Sequence, residues 1–421
     1  MKNKKLTTAI FGMTLLLAGC AADDALTTQG QESGGSDIVG TPVLFTVGDV
    51  GQNTMRAATP YMAEGGRFVC TMYYHAKAND TDDSDFDIQD AADGGTMTTA
   101  WLKVNNGVGN SVYWNKEYAN RDNDQLDGYG FDKTATMFYW QNRLKHAFLA
   151  LADYNKLTTN DGTSFEQGKL KLYPNGDGAE DKTYNTYDLT RGSKTAMAQQ
   201  PDPIMALTVM KPAGATQEAN RVKLYFRHQF SQIQVNIKGA DDNSANISAN
   251  QIAKVELLGV STEGYVSNHL NANGTVTATR AKDVNVAEFS DAVLDKNPWG
   301  TSFQMFDMKT DHDDDGIAGD DGYAIGFLKS YNAIAFGMLH AIRITWYEGT
   351  KEAPGVIHES TFQVPRTTEQ DGIELINLQS GMKYVYDLEL RRGTLAVIRT
   401  QILDWKQKEE LVYTSDGTIT N

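Results

Sequence analysis

The sharpest grouping of chemistry-bearing residues in this 421-residue chain is Asp311-His-Asp-Asp-Asp-Gly-Ile-Ala-Gly-Asp-Asp321. Asp311, Asp313 and Asp315 ahead of Gly316 reproduce the first half of a calcium loop. In such a loop alternating carboxylates in a tight turn converge their oxygens on one hard cation. The second half departs from that pattern. Position twelve is Gly322, where a bidentate Glu belongs, so Asp320 or Asp321 would have to substitute. The run reads either as a calcium site at Asp311, Asp313 and Asp315 or as an acidic solvated loop. No other cofactor is implied.

The remaining candidates for chemistry are scattered. The seven histidines (75, 146, 228, 269, 312, 340 and 358) stand far apart, and a zinc site would need distant loops and the one thiol left over from lipidation. The chain has no Gly-x-Ser-x-Gly, no phosphate-binding P-loop, no complete Gly-x-Gly-x-x-Gly and no His-Glu-x-x-His. Paired carboxylates for glycoside hydrolysis are defined by a spatial separation, and among 54 acidic residues some pair always fits by eye. An enzyme is not the expected reading.

Charge and the N-terminus narrow the setting. The formal charge is −16, and without the leader lysines Lys2, Lys4 and Lys5 the balance is 35 basic against 54 acidic residues. Such a surface repels phosphate backbones, so nucleic acid is not an expected partner. Met-Lys-Asn-Lys-Lys is a basic start, Leu6 to Ala18 a short apolar run, and Leu17-Ala-Gly-Cys20 a lipobox. The expectation is a lipoprotein signal peptide over 1–20, with acyl chains on Cys20 holding the chain at a membrane. Residues 21–40 have the Gly, Ser, Gln and Thr content of a flexible tether. The second cysteine, Cys70, shares one strand face with Phe68, Met72 and Tyr74 and is expected in a core as a small hydrophobe.

The elements that would carry these residues are strands. Tyr384, Tyr386, Leu388 and Leu390 alternate with Val385, Asp387 and Glu389, a half-buried pattern on a pleated surface. A turn at Gly393 and a second run through Val397 and Ile398 lead to Ile402-Leu-Asp-Trp405, expected as the last core anchor. Earlier strands are expected at 43–47, 65–74, 101–104, 112–114, 135–140 and 147–152, and the run 200–209 closes the first half. Later ones are expected at 253–258, 275–279, 324–327, 342–347, 356–364 and 374–378. Across 221–238 the apolar parity runs Val222, Leu224, Phe226 and then Ile233, Val235, Ile237. A bulge or bend must therefore fall near Phe230, because a strand's side-chain period is two. A short helix at 284–294 is the one helical candidate. The expected fold class is all-β, two antiparallel β-sandwich domains at 41–215 and 216–421, divided in the Pro- and Gly-bearing run Lys211 to Asn220.

In order and spacing, these pieces resemble the fimbrillin family of Bacteroidales, the subunits of type V pili. The lipobox at Cys20, the early strand Val43 to Val47 followed by Thr54-Met-Arg-Ala-Ala-Thr59, and the strand at Phe68-Val69 carry the first part. Leu224-Tyr-Phe-Arg-His-Gln-Phe-Ser-Gln-Ile-Gln-Val-Asn-Ile237 is similar to the family's strand centred on a histidine. The closing Gly-x-x-Tyr-x-Tyr strand and Ile-x-Asp-Trp405 resemble its C-terminal end. Asp23-Asp24 resembles the acidic surface-export signal of Bacteroidetes lipoproteins.

The resemblance implies transthyretin-like sandwiches and a cell-surface subunit that meets other fimbrial subunits by strand exchange. It implies that an arginine-specific protease cuts between Arg56 and Ala57, releasing the lipidated outer-membrane segment with strand Val43 to Val47. The implied donor is a tail at 406–421, with Leu411-Val-Tyr413 and Ile419 as its β-prone part. A host or bacterial surface receptor is a further implied partner. Two alternatives stand beside the structural or tip subunit. One is a fimbrial anchor that keeps its lipid and first strand; the other is a monomeric glycan-binding lipoprotein using some of the six tryptophans as stacking platforms.

Overall fold

Short alternating runs punctuated by Gly, Asn and Asp favour strands over helices, and the fold is all-β. A computed structural model describes residues 38–49, 66–75, 85–86, 97–105, 111–115, 138–156, 184–213, 215–240, 247–281, 302–308, 324, 326–364, 369–370, 373–374, 377–391 and 394–405. The first eight strands are β1 (Phe45–Asp49), β2 (Arg67–Tyr74), β3 (Met97–Asn105), β4 (Ser111–Asn115), β5 (His146–Asp153), β6 (Tyr184–Asp188), β7 (Pro203–Met210) and β8 (Val222–His228). Seven of them close on themselves in the order β1-β4-β3-β2-β5-β7-β8. Neighbours in this barrel are antiparallel except for β1 against β8, which is parallel. Alternate side chains of β2, β5, β7 and β8 fill it: Phe68, Cys70, Met72, Phe148, Ala150, Ile204, Val222, Leu224 and Phe226 are all buried together.

The next strands are β9 (Ser231–Gly239), β10 (Ile252–Val260), β11 (Glu263–Ser267), β12 (Arg280–Ala281), β13 (Ser302–Gln304), β14 (Phe306–Asp307), β15 (Lys329–Ala335) and β16 (Gly337–Tyr347). After them come β17 (Ile357–Gln363), β18 (Glu369–Gln370), β19 (Ile373–Glu374), β20 (Asn377–Leu378), β21 (Met382–Arg391) and β22 (Thr394–Asp404). Sheet β13-β10-β16-β17 faces sheet β14-β15-β9-β21-β22 across a core that includes Ile233, Val235, Ile237, Val255, Ile342, Ile344, Tyr384, Tyr386 and Leu388. A three-stranded sheet, β12-β11-β6, joins a strand of the first half to two of the second.

The parity change near Phe230 has a structural cause. Val222, Leu224 and Phe226 point into the barrel, while Ile233, Val235 and Ile237 point into the sandwich core. The break at Gln229-Phe230 is where one chain leaves the first sheet for the second. Residues 211–220, where a domain division is expected, connect β7 to β8 within the barrel, with the Asn220 side chain accepting the Ala213 N–H at 2.7 Å. Everything described lies in one compact unit, Ser36–Asn421.

Several strands differ from expectation for local reasons. Residues 324, 326 and 327 are not strand, and 275–279 hold only a single bridge, Leu270 to Val276; Gly326 at φ 83° lies within the first stretch and Gly274 at φ 80° beside the second, both in the left-handed region. The strand near the first of these is β15, whose Ser330 and Asn332 are buried alongside Ala333, so its hydrophobic alternation is weak. Residues 138–140 hold only a single bridge, Pro42 to Tyr139. β21 is buried on both faces: Asp387 faces away from the core yet is sealed, accepting from Asn236 Nδ2 at 2.7 Å and pairing with Arg399 at 2.8 Å. The helix expected at 284–294 lies outside the described residues.

Candidate functional site

β1 is the strand that closes the barrel. Its sequence alternates: Val43, Phe45 and Val47 are buried, while Leu44 and Thr46 between them are half-buried. That alternation directs three apolar side chains into the barrel core and leaves the backbone to satisfy its own hydrogen bonds on both sides. On one side β1 runs parallel to β8, from Phe45 opposite Val222 to Asp49 opposite Phe226. On the other it meets β4 antiparallel at Thr46 opposite Ser111.

The segment leading into β1 is held as firmly. Gly40 N–H donates to the Trp140 carbonyl at 2.7 Å, Trp140 N–H returns to the Thr41 carbonyl at 3.0 Å, and Val43 N–H donates to the Phe138 carbonyl at 2.8 Å. Val222 N–H donates to the Leu44 carbonyl at 2.8 Å, and Arg221 Nη1 reaches the Phe45 carbonyl at 3.2 Å. Thr41 closes the turn through its hydroxyl, which donates to the Ile38 carbonyl at 2.7 Å.

The floor under β1 is aromatic. The Phe45 ring lies edge-on to Phe148 at 5.4 Å and tilted against Phe138 at 5.7 Å. Trp140 meets Phe148 edge-on at 5.8 Å, and Phe68 meets Phe226 at 5.3 Å. Full burial of a Val or Phe side chain is worth about 1.5–3 kcal/mol, so Val43, Phe45 and Val47 together contribute on the order of 6 kcal/mol. Without β1, β8 and β4 would be edges, and an apolar slot would lie open between them.

His146 steadies the 138–142 segment that β1 leans on. Its Nε2 accepts the Gln141 N–H at 3.2 Å, which assigns the proton to Nδ1, facing the Leu144 carbonyl at 3.0 Å. The ring packs edge-on to Trp140 at 4.9 Å. Burial pushes its pKa down to about 4, so it is neutral at physiological pH. Cys70 sits in the barrel floor, where burial drives the thiol far above its usual range and makes it an inert hydrophobe, as expected.

The C-terminal end of the described chain returns to this barrel. Trp405 is half-buried in a cluster of Val69, Leu151, Tyr187, Phe230, Ile334 and Phe336, which joins the barrel to the sandwich. It is a junction residue rather than an anchor of the sandwich core. Its ring stacks on His228 of β8 with centroids 3.7 Å apart and planes 8° from parallel. The same β8 forms one wall beside β1.

Of the residues singled out by the sequence, the structure brings together strand 43–47, the histidine-centred β8 and Trp405. Cys20, Arg56, Ala57, Asp311, Asp313, Asp315 and residues 406–421 lie outside the described residues. Among the described residues no group of three His, Cys, Asp or Glu side chains could hold a metal. None of their helices is long and apolar enough to cross a membrane. Sequence reasoning missed the clamp at 138–140 and His146. Only Phe138-Tyr-Trp140, three aromatics in a row, signalled that this stretch was buried.

No protein-family model matches the sequence, and no curated protein matches it. Among solved structures, the chain is similar to a candidate cell adhesion protein from Bacteroides uniformis at 12% identity and TM-score 0.45, covering 87% of this chain and 97% of that one. It is similar to the tip fimbrial protein Mfa3 from Porphyromonas gingivalis at 10% identity and TM-score 0.39, covering 86% and 98%. A fimbrial protein from Bacteroides vulgatus is similar at 12% identity and TM-score 0.40, covering 82% and 95%. Likenesses of this depth assign no function.

Proposed function

We propose that the chain is a structural or tip subunit of a surface fimbria, held to the outer membrane through a lipid on Cys20 and polymerised by strand exchange. The observation that carries this reading is the seat of β1. It closes the barrel, it sends three apolar side chains into the core, and its partner β8 lies about 180 residues away in sequence.

A cut between Arg56 and Ala57 falls between β1, ending at Asp49, and β2, starting at Arg67. It severs no described strand. It turns β1 from a tethered strand into a separate peptide, whose departure opens a slot with unpaired backbone groups on β8 and β4 and an aromatic floor. An alternating β-prone segment from another subunit fills such a slot by β-augmentation, and residues 406–421 supply one.

Two measurements test this. N-terminal sequencing of protein taken from assembled fibres gives Ala57 for a polymerising subunit, whereas lipidated Cys20 assigns the chain as an anchor. Deletion of residues 406–421 abolishes entry into SDS-resistant polymers. Polymers as abundant as wild type would rule out the tail as donor.

A further inference from the structure

Beneath Trp405 lies a cluster of buried titratable groups that strand exchange does not use. His228 Nδ1 and Asp202 Oδ1 are 2.8 Å apart, each side chain only 2% exposed. Asp153 at the end of β5 accepts the Asp202 N–H at 3.0 Å, and the Asp202 carbonyl accepts the Tyr154 N–H at 2.7 Å. Tyr154 meets His228 edge-on at 5.7 Å. Trp405 covers the imidazole face and is tied back by its N–H to the Gly381 carbonyl at 2.7 Å, while Gly381 N–H donates to Phe230 at 2.9 Å. The ring stack therefore completes a loop that runs from β8 through Phe230 and Gly381 to the end of β22.

We propose that Asp153, Asp202 and His228, covered by Trp405, form a proton-regulated joint between the barrel and the sandwich, closing more tightly as protons are taken up.

The charge balance gives the direction. Two carboxylates face one imidazole and one ammonium, Lys156, which stands 3.9 Å from Asp153 and is 30% exposed. Tyr187 of β6, fully buried, adds a phenol to the same wall, and Trp405 brings no charge from β22. Ionised carboxylates in this setting are drawn towards hydration, which lifting Trp405 would admit. A proton on Asp153 removes that drive and the repulsion from Asp202. Burial, with Asp202 adding repulsion, pushes the Asp153 carboxyl up to about 6, and burial raises Asp202 against the lowering effect of His228. A carboxyl raised in the closed state binds its proton more tightly there than in the open state. Closure is therefore favoured as pH falls through about 6 and weakened above it.

The test is amide hydrogen exchange on the full chain at pH 5 and pH 8, corrected for intrinsic rates. A shift of the size seen for Asp153 makes protection of segments 226–230 and 400–405 about tenfold greater at pH 5 than at pH 8. The β16–β17 hairpin, remote from the cluster in sequence and pairing, serves as control and stays level. Asp153→Asn is expected to give high protection at both pH values. A tenfold change that persists in Asp153→Asn, or one equally large in the control hairpin, overturns the joint. Should that variant not fold, carbon NMR of the wild-type carboxylates decides. An Asp153 midpoint near 6, shared by the indole signal that Trp405→Phe removes, supports the joint; a midpoint below 4.5 or an indifferent indole refutes it.

Discussion

Replacing Phe45 with Ala tests whether β1 is held by what its side chains bury. Phe45 is 4% exposed and makes ring contacts with Phe148 and Phe138 in the barrel floor. Truncating a buried Phe costs about 3–5 kcal/mol, and loss of aromatic pairs places this site in the upper half of that range. Leu44→Ala is the control: that side chain is only half-buried and points the other way, so the expected cost is about 1 kcal/mol. Urea denaturation of the intact chain measures both. The more telling assay follows limited trypsin cleavage at Arg56, with release of the β1 peptide monitored by mass spectrometry. Once the covalent link is gone, the same 3–5 kcal/mol appears as a roughly 10²- to 10⁴-fold higher dissociation constant for the β1 peptide. The reasoning fails if Phe45→Ala costs the intact chain less than about 1 kcal/mol. It also fails if the nicked variant retains its β1 peptide as well as nicked wild type, since apolar burial would then not be what keeps the strand in place.

Two further predictions concern pH and the junction. His146, held down to about 4, refuses a proton that the unfolded chain accepts near 6.5. Its contribution is complete above pH 6.5 and falls by about 3 kcal/mol as pH drops to 4, opposing the gain from Asp153 over the same range. Urea melts of wild type should therefore change little between pH 6.5 and 4, whereas His146→Phe should become more stable on acidification; a variant that loses stability there contradicts the assignment. Gln200, fully buried, mimics a paired strand by donating to the Ile334 carbonyl at 2.9 Å and accepting its N–H at 2.7 Å. Gln200→Leu strands both backbone groups and should cost about 2–4 kcal/mol in urea denaturation, while Gln199→Leu, which loses only exposed hydrogen bonds from Thr195, should cost no more than about 1 kcal/mol.

What was legible in the sequence was local. Strand-length alternation marked β1, β2, β8, β9 and β21, and the parity break near Phe230 marked the passage between cores, because each is set by residues within a few positions of one another. The face of Cys70 and the inert state of its thiol followed from the same alternation. β15 was less visible, because a strand buried on both faces can carry Ser330 and Asn332 where the pattern demands apolar residues. Antiparallel pairing was expected throughout and holds for most pairs; the two parallel pairings were not legible. β1 with β8 and β9 with β21 are parallel, and parallel partners cannot be joined by a tight turn, so no short motif records them. That gap falls on the residues that matter most. β1 has no hairpin partner in sequence: its neighbours are β4 and β8, separated from it by long stretches of chain, and its own link to β2 contains Arg56. Among the described strands β1 comes first, so one cut in the loop to β2 separates it covalently from all the others and leaves side-chain burial and backbone bonds to hold it. Each of the other described barrel strands lies between two described strands along the chain and would need two.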